Sequence, residues 1–236
     1  MVKPQDLGQA IQSLRILHVA GANITVPYKE ATIPYLDVLS EGANIIGAVN
    51  TIVRDGDRLK GYNTNAIGIM DALSEAAFEV EGKRALVFGS GGAARAVVFI
   101  LNWLRASKIY VSGRNSDQAR SISTTFSGEV LELSSLPGRS LPVDIVVNAT
   151  SVSSSEESPE MAEVVRHLEV TDCRLVFDLN YGRRVNFWQE MAEGKGIHFM
   201  DGLSALAFQA RRTFALWTGL QVPPEEFIRA LKETGT

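Results

Sequence analysis

One stretch limits what this chain can fold into more than any other. Arg84-Ala-Leu-Val-Phe-Gly-Ser-Gly-Gly-Ala-Ala-Arg-Ala96 reads as an apolar strand that runs through a glycine turn into a helix. Ala85 to Phe88 form the continuous apolar run expected of a parallel strand buried on both faces, and Ala93 to Leu104 place small and apolar residues at helical spacing. Gly89, Gly91 and Ala94 fall on the G-x-G-x-x-G/A pattern of a dinucleotide fold. There the first glycine permits the tight turn, the second lets backbone N–H groups approach a pyrophosphate, and the small third residue lets helix and strand pack closely.

Which dinucleotide is bound is decided after the second strand, Lys108-Ile-Tyr-Val-Ser112. NAD-binding versions usually place a carboxylate there for the ribose hydroxyls. This chain instead has Gly113-Arg114-Asn115. A guanidinium suits a 2′-phosphate through planar, charge-assisted contacts, so the expected cofactor is NADP; the competing reading is a solvated loop cation.

The alternation continues beyond the turn. Strands are expected near 108–112, 129–133, 143–148, 174–179 and 197–200, with helices near 116–126, 159–168 and 184–194: an α/β, Rossmann-type doubly wound parallel sheet. Val143-Asp-Ile-Val-Val-Asn-Ala-Thr-Ser151 ends in small polar residues where such sheets bind ligands, which makes Asn148, Thr150 and Ser151 candidates for the cofactor crevice. A turn satisfied by its own side chains is the alternative.

The segment ahead of this sheet differs. It reads as an amphipathic helix over 7–20, a strand over 22–26 stopped by Pro27, a second helix over 29–39, a hairpin of 47–54 and 58–62 across Asp55-Gly56-Asp57, and a helix over 64–76. Helices over 202–217 and 224–232 close the chain. The expected division is a smaller α/β substrate domain (1–76), a nucleotide domain (80–201), and C-terminal helices (202–236) that return to the substrate domain.

Charge and composition remove other classes. A net charge of −4 without a basic patch argues against nucleic acid. Cys173 is the single cysteine, which excludes an internal disulfide, and a buried structural thiol is expected. His18, His167 and His198 lack metal-ligand neighbours at usable spacing, so no metal site is assigned. No apolar run is long enough to span a bilayer and no signal peptide is evident, so the expected location is the cytoplasm.

Five further stretches stand out in chain order: Gly21-Ala-Asn-Ile-Thr-Val-Pro-Tyr-Lys29, Gly47-Ala-Val-Asn-Thr51, Gly61-Tyr-Asn-Thr-Asn65, Asn148-Ala-Thr-Ser151, and Gln209 through Gly219. Through them the chain resembles the shikimate dehydrogenases, NADP-dependent enzymes that interconvert 3-dehydroshikimate and shikimate. The second stretch is identical to the family's G-A-V-N-T; the others are similar to its G-x-N-V-T-x-P-x-K, G-x-N-T-D, N-A-T-S and closing Q-x(7)-W-T-G. The resemblance implies Lys29 as catalytic acid–base and Asn65 beside it. It further implies Thr25, Asn50, Tyr181 and Gln209 as contacts for a shikimate-like hydroxy acid. For the cofactor it implies Gly89, Ser90, Gly91, Gly92, Ala93, Arg114, Asn148, Thr150, Ser151 and Gly202. Judged without the family, Lys29 reads as a surface lysine at a helix start.

The departures matter as much. The family pairs its lysine with the Asp of N-T-D; Asn65 carries no charge to hold an ammonium and cannot take a proton. The family pattern also begins with a further strand and helix bearing an S-x-S-P-type motif, and the sequence starts after it. An exposed sheet edge is therefore expected, and with it a homodimer. Two readings stand: a dehydrogenase of this type interconverting 3-dehydroshikimate and shikimate, whether or not Asn65 and the missing first unit impair it, or an NADP-binding homologue that has little or no dehydrogenase activity or acts on a related polyol acid such as quinate.

Overall fold

A computed structural model describes residues 2–233; Met1 and Thr234–Thr236, the outermost residues of the expected first and last segments, lie outside the described residues. The first half runs α1 (Leu7–Ile16), β1 (Gly21–Asn23), β2 (Val38–Leu39), α2 (Glu41–Ile46), β3 (Thr51–Asp55), β4 (Arg58–Tyr62) and α3 (Thr64–Glu75). The second runs β5 (Arg84–Phe88), α4 (Gly92–Trp103), β6 (Lys108–Ser112), α5 (Ser116–Thr125), β7 (Glu129–Val130), β8 (Ser140–Pro142), β9 (Ile145–Asn148), α6 (Pro159–Arg166), β10 (Glu169–Thr171), β11 (Leu175–Asp178), α7 (Phe187–Gly194) and β12 (His198–Met200). Two helices follow, α8 (Leu203–Thr218) and α9 (Pro224–Glu233).

The large sheet is six-stranded and parallel, in the order β12-β11-β9-β5-β6-β7. Counted from β5, that is the doubly wound order of a dinucleotide-binding fold, and its topological switch lies where β5 and β9 part. Both faces are covered, because β5, β9 and β11 consist almost wholly of buried Ala, Leu, Val, Ile and Phe. β8 and β10 form a separate two-stranded parallel sheet that periodicity did not single out.

The first half holds a mixed sheet in the order β1-β3-β4-β2, with the expected hairpin across Asp55-Gly56-Asp57. Among the described residues β1 pairs only with β3 and forms the edge. The helix expected over 29–39 is absent. A single turn, Thr32 N to Tyr28 O at 3.0 Å, gives way to a 3-10 turn over Ile33–Tyr35, and Lys29 O instead accepts from Val49 N at 2.8 Å. Pro34 has no N–H to continue a helix, and the carbonyl that a helix needs is taken by a distant strand. The helix that does form is α2, capped by Ser40, whose hydroxyl accepts from Ala43 N at 3.3 Å, and ended by Gly47. Gly47 is thus a helix cap rather than the start of the hairpin.

α8 packs along α3 and reaches β3. At its far end the Trp217 indole donates from Nε1 to Ile52 O at 2.9 Å. Cys173 is half-buried, and burial pushes its thiol up to about 11. No described helix is long and apolar enough to cross a membrane.

Candidate active site

The glycine turn leaves β5 at the sheet's switch point. Gly89 adopts φ +121°, and a Cβ there would stand 2.9 Å from Ala149 O, beyond β9, so the two strand ends approach as only glycine permits. Gly91 caps α4 without a side chain, so among the described residues no side-chain cap takes the first amides of that helix, and they can hold an anion. A Cβ at Gly91 would meet nothing within 4 Å, which leaves the space in front of the turn open. Ser90 lies against Gly113. The next residue, Arg114, is exposed at the end of β6 and has no ion pair among the described residues. Open glycines, free amides and an uncommitted guanidinium fit a phosphorylated dinucleotide.

Opposite the turn lies a cavity of about 160 Å³ lined by Lys29, Asn65, Tyr181, Gln209, Gly202 and Ala93, among others. Six of the residues singled out in the sequence, spread from position 29 to position 209, therefore share one wall. Lys29 is held by its own carbonyl on Val49 N, and its stem lies beside Gly92 and Ala48. Burial lowers its pKa. No carboxylate is among the lining residues, and among the described residues Lys29 forms no ion pair.

Behind the cavity sits a polar cluster built on Asn50, which is 3% exposed. Its Nδ2 lies 2.9 Å from Thr64 Oγ1, 2.9 Å from Asn65 Oδ1 and 3.1 Å from Gln209 Oε1, while its Oδ1 accepts from Thr64 N at 2.7 Å. Two amide hydrogens serve three acceptors, so one acceptor is always available to another donor. Thr51, Thr64 and Thr213 hydroxyls close the cluster at 2.9 to 3.1 Å. Asn65 Nδ2 has no hydrogen-bond partner among the described residues.

Four of the other expected residues stand apart from this wall. Thr25 is exposed in the turn after β1, where its carbonyl accepts from Tyr28 N, and it does not line the cavity. Asn148 is fully buried: its Oδ1 accepts from Thr150 N at 3.0 Å and Thr150 Oγ1 at 2.7 Å, and its Nδ2 donates to Val152 O and Asp178 Oδ1. The side chains of Asn148 and Thr150 thus hold the loop together, while Ser151 is exposed on it.

Sequence reading missed three supports. Asp178 is fully buried and accepts from the side chains of Asn148, Ser153, Asn180 and Asn186 at 2.7 to 3.0 Å, which fixes the loops after β9 and β11. A carboxylate ending the apolar run Leu-Val-Phe was its only signal. Arg95, in the first turn of α4, donates from Nε to Ile46 O at 2.7 Å and so ties the glycine turn to α2. Gly68 lets α3 and α8 touch, since a Cβ there would stand 2.5 Å from Ala205 O and 3.0 Å from Gln209 Cβ. An isolated glycine inside a helical pattern is itself a sign of close packing.

Two family profiles match the chain: one described as the shikimate dehydrogenase substrate binding domain, over residues 1–52, and one described as shikimate / quinate 5-dehydrogenase, over residues 72–205. The shikimate dehydrogenase (NADP(+)) of Moorella thermoacetica is 37% identical over 243 residues, covering 98% of this chain and 81% of that protein. The crystal structure of shikimate dehydrogenase from Aquifex aeolicus superposes with a TM-score of 0.84 at 32% identity, covering 98% of this chain and 84% of that one. The shikimate 5-dehydrogenase of Thermus thermophilus, solved in complex with NADP(H) and shikimate, gives a TM-score of 0.83 at 31% identity, covering 98% and 85%.

Proposed function

Because this chain belongs to the shikimate dehydrogenase family, we propose that the wall shared by Lys29, Asn65, Tyr181 and Gln209 is its catalytic cleft and that Lys29 carries the proton of the reaction. The chain is an NADP-dependent oxidoreductase of shikimate dehydrogenase type, interconverting 3-dehydroshikimate and shikimate. The observation that carries the residue assignment is that one small cavity gathers a desolvated lysine, two side-chain amides and a phenol next to the start of α4.

NADP, when bound, accepts or supplies the hydride. Gly89, Ser90, Gly91, Gly92 and Ala93 would hold its pyrophosphate, and Arg114 its 2′-phosphate. Asn148, Thr150 and Ser151 would shape the crevice beside Gly89, and Gly202 would complete the wall. In alcohol oxidation, Lys29 Nζ as neutral amine takes the hydroxyl proton; in ketone reduction, the ammonium returns it and stabilises charge growing on the carbonyl oxygen. Asn65 Nδ2 donates to a neighbouring substrate oxygen, and Asn50 and Gln209 fix the remaining hydroxyls. Tyr181 closes the cleft, and Thr25, exposed after β1, is proposed as a further substrate contact. The division of labour follows the chain, with residues 1–76 for the substrate, 80–201 for the coenzyme and 202–233 packed back on the former.

Asn65 supports a second reading, an NADP-binding homologue with little turnover, because no carboxylate lines the cleft to charge Lys29. Titration with NADPH by fluorescence, with NADP reduction assayed on shikimate and on quinate beside a Lys29→Ala variant, separates the two. Turnover above the variant supports the dehydrogenase; binding with turnover equal to the variant supports the homologue; failure to bind NADPH removes both. The unpaired outer edge of β1 also favours a homodimer joined there, and a strictly monomeric mass by light scattering at high concentration would count against it. A coenzyme-dependent reaction and a lone thiol fit a cytoplasmic setting.

A further inference from the structure

A second cavity, of about 620 Å³, lies outside the cleft and shares none of Lys29, Asn65, Tyr181 or Gln209 with it. Its walls come from α2, α3, α4 and α8, so it spans the junction that Arg95 ties through Ile46 O. We propose that this cavity binds a small aromatic or branched aliphatic carboxylate.

Size is the first argument, since ligand pockets generally run from about 300 to 1,000 Å³ and are walled mainly by apolar and aromatic side chains. Ile45, Met70 and Leu216 supply aliphatic wall, and Phe99 and Trp103 stand with ring centroids 6.2 Å apart. Trp103 is 66% exposed and Ile45 41%, so the mouth keeps large apolar groups in water that an occupant would cover. Charge points to an anionic end. Arg211 and Arg212 both reach Asp71 Oδ2, at 3.4 and 3.6 Å, and one carboxylate cannot balance two guanidiniums. The excess cation, Arg212, lines the cavity. The carboxylate among the lining residues, Glu41, belongs to the first turn of α2, where the helix N-terminus offsets part of its charge. An apolar body with an anionic end matches both features.

The test does not depend on the dehydrogenase reading, because it is run on the full chain without coenzyme or substrate. 4-Phenylbutyrate and 4-phenylbutylamine are titrated in parallel, following tryptophan fluorescence with a Trp103→Phe variant as the control for Trp188 and Trp217. The expected result is saturable one-to-one binding of the carboxylate, at least about fivefold tighter than the amine and weakened about fivefold by Arg212→Gln. Ala215→Trp, which fills the cavity from α8, should abolish it while far-ultraviolet dichroism stays unchanged. Equal affinity for the amine, unchanged affinity in Arg212→Gln, unsaturable quenching, or a fluorescence change that tracks self-association by light scattering would each overturn the proposal.

Discussion

Asn50 lies 2.9 Å from Asn65, Nδ2 to Oδ1, so the residue that departs from the family pattern is anchored to one that keeps it. An aspartate at 65 would accept the same bond and replace the free Nδ2 by a second acceptor facing the cleft. Asn65→Asp should therefore raise kcat for shikimate oxidation by about 10²-fold, the lower end of what a positioned acid–base partner contributes. Steady-state kinetics on the purified pair decide it, and an unchanged kcat would show that the amide is not what limits turnover.

The same substitution carries a prediction in pH. Burial without a carboxylate lowers the Lys29 pKa, so the neutral amine persists to lower pH than in a solvated lysine. Since oxidation needs that amine, the acid limb of kcat/KM should lie below the ordinary lysine range. In Asn65→Asp a nearby negative charge favours the ammonium, and the limb should move to higher pH. Superimposable profiles would take Lys29 out of the proton transfer.

Arg114 is exposed, without an ion pair among the described residues, so removing it should cost the fold little. Arg114→Ala should weaken NADP by about 10- to 100-fold, the worth of charge-assisted bonds to a phosphate, and leave NAD nearly untouched. Parallel titrations with both coenzymes measure the ratio, and equal losses would remove Arg114 from the site.

The nucleotide half could be read from the sequence because its determinants are local. A buried parallel strand is a continuous apolar run, and Gly89 marks where it must turn. Residues 29–39 could not be read this way, since Lys29 O bonds to Val49 N, twenty positions away, and a helix-compatible pattern cannot reveal that. The cap signals of α2, Ser40 and Gly47, were present, but Gly47 also opens a motif matched for other reasons. In the cleft, Lys29, Asn65 and Gln209 were marked by separated motifs, whereas the groups that fix the surrounding loops, Asp178 and Arg95, act through contacts made only after folding.

Gly68 links packing to the cleft. With a Cβ due 2.5 Å from Ala205 O, Gly68→Ala must push α8 away from α3 and carry Gln209 with it. Such overpacking costs about 1 to 3 kcal/mol. The expected outcome is a lower denaturation midpoint together with a raised KM for shikimate and a nearly constant KM for NADP, because the glycine turn is untouched. A matching rise in both would mean that the two halves of the site are not separable in this way.

Asp201, just before α8, gives the last prediction. Burial raises its pKa, with the nearby Asp178 charge adding to the effect, although Leu203 N donates to it at 3.0 Å. A carboxyl whose pKa is higher folded than unfolded binds protons more readily in the native state, so its contribution to stability falls as pH rises from the ordinary carboxylate range through the raised value, and stays low above it. At neutral pH the ionised group is a liability. Asp201→Asn keeps the oxygen that accepts from Leu203 N and removes the charge, so it should raise Tm at pH 7 by about 2 °C in a chain of this size. Near pH 3, where the carboxyl is protonated in both states, the two proteins should melt together. Scanning calorimetry at the two pH values tests this, and a variant that melts lower at pH 7 would show that Asp201 is held by charge rather than strained by it.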